Sequence, residues 1–570
     1  MPNNLSGCGS EGNLYDPGTP TPAPVFPEAN NYLDIEMRPE NARRNETYLI
    51  LILVAACLTL FFFHLGVRPI WDIDEGAHAS TSRDMVLSGD WITPTYNGQP
   101  FYDKPILHNW LVALSFLIFG FTEFAARLPS AVLSSGSVMI TYLLGKKMFG
   151  PIIGFLGGII LATAVEFVIL SRTVVHDISL VFFVTLALYL FYLVYTDARH
   201  KIRNLLFFYA SLGLAVLSKG PVGLALPAMT IGLYLVYKKD LAFIKKMQFG
   251  WGFLIFLIIS LPWYILISLK NPDYAGYFFI KQNLGSFLSS DPRHPEPFYY
   301  YIPVFFGGFF PWSCFLPLAL IFAVRKRFHT VSQGTALLGI WFAVVFIFFS
   351  MAGSKLPTYI LPLFPAASLL VALIWKEMLD ASGPQIRKGF ILSLLPVVLV
   401  FLAALIYLRV YPPVEVEYES GVTMGQINFM VAWFVFCMVI SFIFLLIRKT
   451  KALFTSLVAM VISAFLIFLI LIVPSINPYR STKQLAEKLD RLLAEKEDLV
   501  FYSRIKESAL FYTNRKARVL EHPDELKDYL ASDKRVYCII TRKKLARLPL
   551  MPYVVARQGD KLLISNSKSP

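Results

Sequence analysis

Long apolar segments alternate with short polar segments along most of this 570-residue chain. Most of the apolar segments have the roughly 17 to 25 residues with which an α-helix crosses a bilayer. The first covers residues 48–67. The others cover residues 123–145, 151–171, 178–196, 204–218, 221–237, 249–269, 302–324, 334–352, 358–375, 389–409, 427–447 and 452–474. The pattern predicts an α-helical polytopic membrane protein with about 13 transmembrane helices.

Charge clusters between these segments predict the orientation of the bundle. Basic clusters such as Lys146 with Lys147 and residues 325–327 fall in alternate connections, as the positive-inside rule expects of cytoplasmic loops. With an odd number of spans, the N-terminus is then cytoplasmic and the C-terminus external. The shorter apolar segment at residues 105–120 is predicted to lie at the interface or to re-enter the bilayer.

The two ends of the chain lack the transmembrane pattern. Residues 1–47 contain PGTPTPAPVFP and are polar, which predicts a disordered cytoplasmic tail. Residues 475–570 combine an amphipathic helix (TKQLAEKLDRLLAEKED), short strands (LVFYS and RVYCII) and a proline-capped helix (PDELKDYLASD). We expect a small soluble α/β domain there, on the external, periplasmic side. Residues 48–474 form the transmembrane region.

Composition narrows the class of protein further. Hydrophobic residues make up 56% of the chain and charged residues 16%, and the formal net charge is +14. The basic residues cluster at the ends of apolar segments, so membrane topology accounts for them better than nucleic acid. In the C-terminal domain the excess of basic residues favours either solubility or contact with anionic membrane lipids. The five cysteines have neither metal-ligand nor disulfide spacing.

The polar segment at residues 71–110 carries six carboxylates between two apolar segments. Asp74 and Glu75 stand where a helix can start at the membrane surface, so they are candidate catalytic acids or simply partners of the helix dipole. Asp177 begins a later apolar segment, where an acid can also act as a helix cap. The catalytic reading places the chemistry in an external loop, residues 68–107.

Three lysines lie beside proline-broken span ends on the predicted external face, namely Lys104, Lys219 and Lys355. Basic residues are unusual on that face, which favours an anionic partner such as a phosphate. Snorkelling toward the interface is the alternative for each. His294 lies in an aromatic loop and is either a hydrogen-bonded loop residue or, with a carboxylate such as Asp103, a ligand of a divalent ion.

An ordered set of motifs spans residues 71–365. They are the Asp-Glu pair at 74 and 75, SGDWITPTYNGQPFYDKPIL, FAARLPSA, the His-Asp pair at 176 and 177, LSKGPVGLALP, LPWY, RHPEPFYYYIP and GSKLPTYILPLFP. In this combination the chain resembles the integral membrane glycosyltransferases of the GT-C class. Within that class it is most similar to the bacterial aminoarabinose transferases that modify lipid A, which are related to the protein O-mannosyltransferases.

The resemblance implies that a sugar is taken from an undecaprenyl phosphate carrier at the periplasmic face of the inner membrane. Asp74 matches the essential aspartate of the first loop in that family, and Asp177 matches its second acid. Lys104 matches a lysine near the carrier phosphate, while Lys355 and Tyr359 lie in the KLPTY motif that borders the donor pocket.

The resemblance also bears on a metal ion and on the substrates. His294 matches a loop histidine near a metal, with Asp103 where the family usually has glutamate. Where the family commonly reads Arg-Tyr after the acidic pair, this chain has Ala77 and His78, and a long tail precedes the first span. These departures leave open which sugar and which acceptor are used.

The residue types fit this chemistry independently of the family. Lysines stabilise the departure of a phosphate, and a carboxylate either orients or deprotonates an acceptor hydroxyl, or stabilises positive charge on the sugar ring. Lipid A, another glycolipid and protein are the candidate acceptors. A lipid or solute transporter is the alternative of another class, but most spans are uncharged through their centres, with Glu166 the clearest exception.

Overall fold

A computed structural model describes residues 39–197, 199–285, 294–324, 332–380, 383–411, 420–494 and 497–567. The first helix begins at Pro39, and the rest of the predicted tail lies outside the described residues. Residues Leu49–Pro570 form one compact unit. Up to residue 285 the helices are Pro39–Cys57, Leu58–Phe62, Asp74–Ser88, Leu107–Phe119, Glu123–Phe149, Pro151–Ala162, Val165–Leu170, His176–Thr196, Lys201–Lys219, Val222–Tyr237, Phe243–Lys246, Phe249–Lys270 and Gly276–Gly285.

The remaining helices complete the bundle and enter the C-terminal region. They are Tyr301–Gly308, Trp312–Phe315, Leu316–Val324, Ser332–Met351, Pro357–Leu363, Phe364–Asp380, Pro384–Val410, Met424–Leu446, Thr450–Ile467, Phe468–Ile472, Val473–Arg480, Lys483–Leu492, Glu507–Thr513, Pro523–Leu530 and Arg542–Leu545. In the described ranges, ten helices are long and apolar enough to cross a membrane, or eleven with one bent pair. The predicted fold class, a polytopic helical membrane protein, is confirmed.

Every segment that was predicted to span contains helix, but two of them are shorter than expected. Pro151–Ala162 and Val222–Tyr237 each have fewer than 18 residues, so the predicted thirteen spans include these two and the bent pair. Leu107–Phe119 is also short, as predicted for an interfacial or re-entrant helix.

Two of the predicted spans, residues 151–171 and 302–324, are interrupted, and hydrogen bonds join the two interruptions. The helices Tyr301–Gly308 and Trp312–Phe322 meet at 115°. The backbone N–H of Val165 donates to the carbonyl of Phe310 at 3.3 Å, and the indole N–H of Trp312 donates to the Thr163 hydroxyl at 2.9 Å. These bonds satisfy backbone and side-chain groups that the breaks release, which a membrane interior requires.

The C-terminal region contains a five-stranded mixed sheet. Its strands are β3 (Leu499–Tyr502), β4 (Ala517–Leu520), β5 (Tyr537–Thr541), β6 (Tyr553–Gln558) and β7 (Lys561–Ser565), in the spatial order β4-β3-β5-β7-β6. Strand β3 runs parallel to β4 and β5, and β7 is antiparallel to β5 and β6. Apolar residues such as Leu499, Ile539 and Leu563 are buried between this sheet and the helices. The sheet with its helices forms the predicted α/β region.

The α/β region holds the first loop of the bundle. The Asp72 carboxylate accepts a hydrogen bond from the backbone N–H of Ser508 at 2.7 Å. A side chain at Gly76 would meet the backbone of Glu507 at 2.8 Å, so this close approach requires glycine. Within the loop, β1 (Thr95–Tyr96) and β2 (Gln99–Pro100) form a hairpin. Its turn residue Asn97 exchanges hydrogen bonds of 2.6 and 2.9 Å with the backbone of Ala517.

Candidate active site

The helix that contains the acidic pair starts with Asp74 at its first position. It runs from Asp74 to Ser88. Gly89 caps its C-terminus, with a φ of 70° in the left-handed region that glycine tolerates. Most of the helix is buried between the membrane helices and the α/β region, whereas Asp74 is exposed. A substrate at this end of the bundle can therefore reach the Asp74 carboxylate.

Glu75 points into a buried ion cluster. Its carboxylate accepts hydrogen bonds from Arg127 Nε at 2.8 Å, Arg68 at 3.0 Å and the backbone N–H of Trp71 at 3.0 Å. Burial acts to raise the pKa of Glu75, but the two guanidinium groups outweigh it and lower the pKa to about 2. With these donors already bound, Glu75 fixes the first turn of the helix and so the position of Asp74.

Asp177, Lys219 and Tyr359 come together although they are distant in sequence. The Lys219 ammonium donates to the Asp177 carboxylate, and both residues are buried. The same ammonium lies 4.0 Å from the centre of the Tyr359 ring, a cation–π contact. The loop and helix ends that carry these residues thus build one charged cluster.

Lys104 forms the second cation of this region. Its ammonium donates to Asp103 Oδ2 at 2.9 Å, and Gln282 donates to Asp103 Oδ1 at 2.7 Å. Burial acts to lower the pKa of Lys104, but the negative charges of Asp103 and Asp177 outweigh it and raise the pKa. Lys104 is therefore positively charged at neutral pH.

These charged residues line part of a cavity of about 450 Å³, and most of its other walls are apolar. Three of the four predicted phosphate-binding residues, Lys104, Lys219 and Tyr359, line it together with Asp103. The other lining residues are mainly apolar or aromatic, including Val222, Ala225, Phe278, Phe279, Phe348 and Phe349. A charged end and apolar walls suit a ligand with an anionic head and a hydrocarbon chain.

Lys355, the fourth predicted phosphate-binding residue, lines a different cavity. Its ammonium donates to the carbonyls of Ala352 at 2.6 Å and Glu296 at 2.9 Å. It borders a cavity of about 700 Å³ with Glu296, Phe298 and Tyr299. Its neighbours Ala352 and Ser354 line the first cavity, so the KLPTY motif lies between the two.

The predicted metal ligands do not form an evident site. Lys104 and Gln282 engage the two carboxylate oxygens of Asp103, so a cation at that carboxylate would compete with the Lys104 ammonium. His294 is exposed, and its carbonyl accepts from the backbone N–H of Lys355 at 3.1 Å. Within the described ranges, no group of three or more His, Cys, Asp or Glu side chains could hold a metal ion. The metal site stays a prediction, and no step below depends on it.

Four charged groups of the site influence the buried imidazole of His78, a residue to which the sequence assigned no role. Burial lowers its pKa, against the charges of Asp103, Asp74 and Asp177, while the charge of Lys104 lowers it further. All four charged groups are thus close enough to act on one imidazole ring. Its position four residues after Asp74, one helical turn away, is the sequence signal that points to it.

Arg68 and Arg127 are the other residues that the sequence-based reasoning did not assign. Arg127 lies in the FAARLPSA motif, where it is almost fully buried. Besides Glu75, its guanidinium binds the carbonyls of Leu65 at 3.0 Å and Pro69 at 2.9 Å. A buried arginine in a membrane helix needs such partners. The motif was a signal for Arg127, but nothing in the sequence identified Glu75 as its partner.

Comparison with known proteins adds three findings. Residues 103–266 match the family described as dolichyl-phosphate-mannose-protein mannosyltransferase. The undecaprenyl phosphate-alpha-4-amino-4-deoxy-L-arabinose arabinosyl transferase 2 of Proteus mirabilis is 33% identical over 58% of this chain and 60% of its own length. The corresponding transferase 1 of Pseudomonas fluorescens is 30% identical over 65% of this chain and 67% of its own length.

Solved structures agree on the fold. The crystal structure of ArnT from Cupriavidus metallidurans bound to undecaprenyl phosphate superposes with a TM-score of 0.76 at 22% identity, covering 92% of this chain and 99% of that one. The archaeal oligosaccharyltransferase AglB from Archaeoglobus fulgidus gives a TM-score of 0.50 at 13% identity, covering 88% and 70%. These values concern the fold alone.

The fold and the charged cavity define a polytopic membrane protein of the GT-C class. The chain spans about 60% of the length of the first curated relatives that it matches. It belongs to the family of the undecaprenyl phosphate-alpha-4-amino-4-deoxy-L-arabinose arabinosyl transferases. The family resemblance seen in the sequence is confirmed.

Proposed function

We propose that this protein is a glycosyltransferase that takes a sugar from a polyprenyl phosphate carrier and transfers it to an acceptor at the external face of the membrane. The observation that carries the proposal is the 450 Å³ cavity, in which Lys104 and Lys219 meet apolar walls. The names of the relatives and the ligand of the ArnT structure support undecaprenyl phosphate as the carrier.

The lysines bind the carrier phosphate in this proposal. Lys104 and Lys219 each present an ammonium beside a carboxylate at the polar end of the cavity. A phosphate diester that enters would accept charge-assisted hydrogen bonds from both and displace part of their contact with Asp103 and Asp177. The aromatic residues Phe278 and Phe349 provide walls for the isoprenoid chain.

Transfer proceeds as a single in-line displacement at the anomeric carbon. The bond between this carbon and the carrier phosphate oxygen breaks, a bond to the acceptor oxygen forms, and the anomeric configuration inverts. Lys104 and Lys219 stabilise the negative charge that the departing carrier phosphate gains. Asp74 accepts the proton of an acceptor hydroxyl; with an ionised phosphate as acceptor it instead stabilises the positive charge that develops on the sugar ring.

The acceptor is lipid A or a related glycolipid in our preferred version. The relatives' names specify the sugar and its carrier, and the lipid A acceptor comes from the sequence resemblance. A protein O-mannosyltransferase-like reaction is the second candidate, and the family match over residues 103–266 favours it. This match covers Lys104 and Lys219 of the proposed site.

The proposed location is the bacterial inner membrane, with the N-terminus in the cytoplasm and the C-terminus in the periplasm. The alternating basic clusters of the sequence support this orientation. It places Asp74, the cavity and the α/β region on the periplasmic side, where a lipid-linked sugar meets its acceptor.

Two experiments test the proposal. Mass spectrometry of lipid A and of periplasmic glycoproteins from cells with and without the protein identifies the acceptor, and we expect a sugar-bearing lipid A that disappears with the protein. Purified protein in detergent should also glycosylate an acceptor without a membrane gradient. If substrate crosses sealed vesicles and no glycosylated product forms, the protein is a transporter and the proposal is wrong.

A further inference from the structure

Three histidines from three helices lie in ring contact beside the proposed site. His78 comes from Asp74–Ser88, His108 from Leu107–Phe119, and His176 is the first residue of His176–Thr196. The ring centres of His78 and His176 are 4.5 Å apart, and those of His108 and His176 are 5.1 Å apart. All three side chains are buried, with His78 the most exposed at 8%.

Most nitrogens of this cluster lack a hydrogen-bond partner. His108 Nδ1 shares a hydrogen bond of 2.8 Å with the Ser179 hydroxyl. His108 Nε2, His78 Nδ1 and both ring nitrogens of His176 have no partner among the residues that the structure describes. Buried polar atoms are normally hydrogen-bonded, so the four nitrogens of this cluster are available to hydrogen-bond a bound molecule.

The cluster adjoins the groups that would bind the donor. His78 lies one helical turn beyond Asp74, and the charges of Asp74, Asp103, Lys104 and Asp177 all act on its ring. His176 precedes Asp177, the partner of Lys219, in the sequence. The His78 ring contacts His176, and the next residue, Asp177, pairs with Lys219, which lines the cavity, so the cluster borders the proposed phosphate site.

The chemistry of the cluster fits a sugar better than a phosphate or a metal ion. The imidazole of His78 is neutral because burial lowers its pKa, and a neutral imidazole offers one donor and one acceptor. A neutral imidazole has no positive charge with which to attract a phosphate, whereas Lys104 and Lys219 do. Within the described ranges no three such side chains converge on a metal position. A sugar hydroxyl both donates and accepts hydrogen bonds, so a hydroxyl-bearing ring can pair with a neutral imidazole.

We propose that His78 contacts the sugar of the lipid-linked donor, and that His176 is a positioning residue that holds the His78 ring. The inference rests on the proposed function and adds a residue that contacts the sugar and not its carrier. Because His78 would contact the sugar and not the carrier, a change at His78 is expected to alter turnover of the sugar-loaded donor and to leave carrier binding unchanged.

The test compares binding of the carrier alone with turnover of the loaded donor. His78→Phe keeps a flat ring for packing but removes both nitrogens, and His78→Asn keeps hydrogen-bonding groups. We expect His78→Phe to lower kcat/KM for the sugar-loaded donor about tenfold, with the Kd of undecaprenyl phosphate unchanged and partial recovery in His78→Asn. His522→Asn, an exposed histidine of the α/β region, is the matched control and should change neither quantity.

The positioning role of His176 is tested by a double-mutant cycle. His176→Phe should lower kcat/KM in the wild-type background and have little further effect in His78→Phe, because it acts through that ring. A purely structural effect would lower kcat/KM by the same factor in both backgrounds. Thermal unfolding of each variant identifies any that fail to fold. If His78→Phe fails to fold, His78→Asn is compared with the wild type in its place.

Three outcomes would overturn the inference. The first is an unchanged kcat/KM in His78→Phe. The second is a loss of affinity for the sugar-free carrier as large as the loss of kcat/KM. The third is loss of the acidic limb of the pH profile of kcat in His78→Phe, which would make His78 a base. A wild-type protein that transfers no sugar at all would instead overturn the proposed function. The two failures are therefore distinguishable.

Discussion

Lys219 and Asp177 form an ion pair inside the bundle, although 42 residues separate them in the sequence. Each is only 8% exposed, and Tyr359 covers the ammonium with its ring at 4.0 Å. Removing one partner of a buried ion pair leaves an uncompensated charge, which is far more destabilising than loss of a surface pair. This pair therefore links the stability of the bundle to the proposed phosphate site.

We expect Asp177→Asn to lower the free energy of unfolding by about 3 kcal/mol, because the Lys219 ammonium loses its counterion. Added undecaprenyl phosphate should restore more stability in this variant than in the wild type, since its phosphate replaces the missing charge. Thermal unfolding in detergent measures both effects. The matched control is Asp197→Asn, which removes a more exposed pair with Lys147 at 3.3 Å and should change stability far less. Equal effects of the two substitutions would contradict the account.

Lys104→Ala should weaken binding of undecaprenyl phosphate by about 1.5 to 3 kcal/mol, or roughly tenfold to hundredfold, because one charge-assisted contact is lost. Lys355→Ala provides the comparison, since Lys355 lies on the second cavity and binds backbone carbonyls. We expect it to leave carrier affinity nearly unchanged in the folded fraction. Titration of both purified variants with the carrier measures this. A larger loss in Lys355→Ala would move the phosphate to the second cavity.

Glu75→Gln should destabilise the protein at neutral pH. The pKa of Glu75 in the folded protein is about 2, below its ordinary value of 4.5. A lowered carboxyl pKa contributes stability that is present above pH 4.5 and is lost as the pH falls toward 2. The contribution is on the order of 3 kcal/mol, so the melting temperatures of wild type and variant should converge below pH 4.5. A difference that does not depend on pH would show that the arginine pairing is unimportant.

Glu507→Gln should have the opposite effect. Glu507 faces the first loop from the α/β region, and burial and the charge of Asp72 raise its pKa to about 7. A raised carboxyl pKa reduces stability as the pH rises from 4.5 to 7, because ionisation is opposed in the folded state. The variant should therefore exceed the wild type in melting temperature at pH 8 and match it near pH 4.5. Lower stability of the variant at pH 8 would contradict this assignment.

Hydrophobic periodicity was sufficient to predict the membrane helices and the strands Leu499–Tyr502 and Tyr537–Thr541. It was insufficient at the break between Tyr301–Gly308 and Trp312–Phe315, because an apolar run has the same composition whether or not it bends. The backbone groups at this break are satisfied by residues near Thr163. Such partners are set by tertiary packing and have no local signature.

The motifs of the sequence named the residues that line the charged cavity, but not all of their partners. Lys104, Lys219 and Tyr359 line one cavity and Lys355 lines another, and their role in donor binding stays a prediction. The engagement of Glu75 by Arg127 was not predictable, because an acid in a first helical turn has the same sequence pattern whether it faces a substrate or an arginine. The histidine cluster brings together residues 78, 108 and 176, and isolated histidines in a sequence give no sign of such contacts.

The central claim is that Asp74 acts on a sugar donor bound in the charged cavity. The most direct measurement is product formation from undecaprenyl phosphate-linked aminoarabinose and lipid A by purified wild type, Asp74→Asn and Asp84→Asn. Asp84 lies on the same helix but pairs with Arg83 at 2.8 Å, so Asp84→Asn controls for the substitution itself. We predict transfer by the wild type and Asp84→Asn, with at least a hundredfold loss in Asp74→Asn, roughly the effect of removing a catalytic acid or base, and unchanged carrier binding. Full activity of Asp74→Asn would contradict the account.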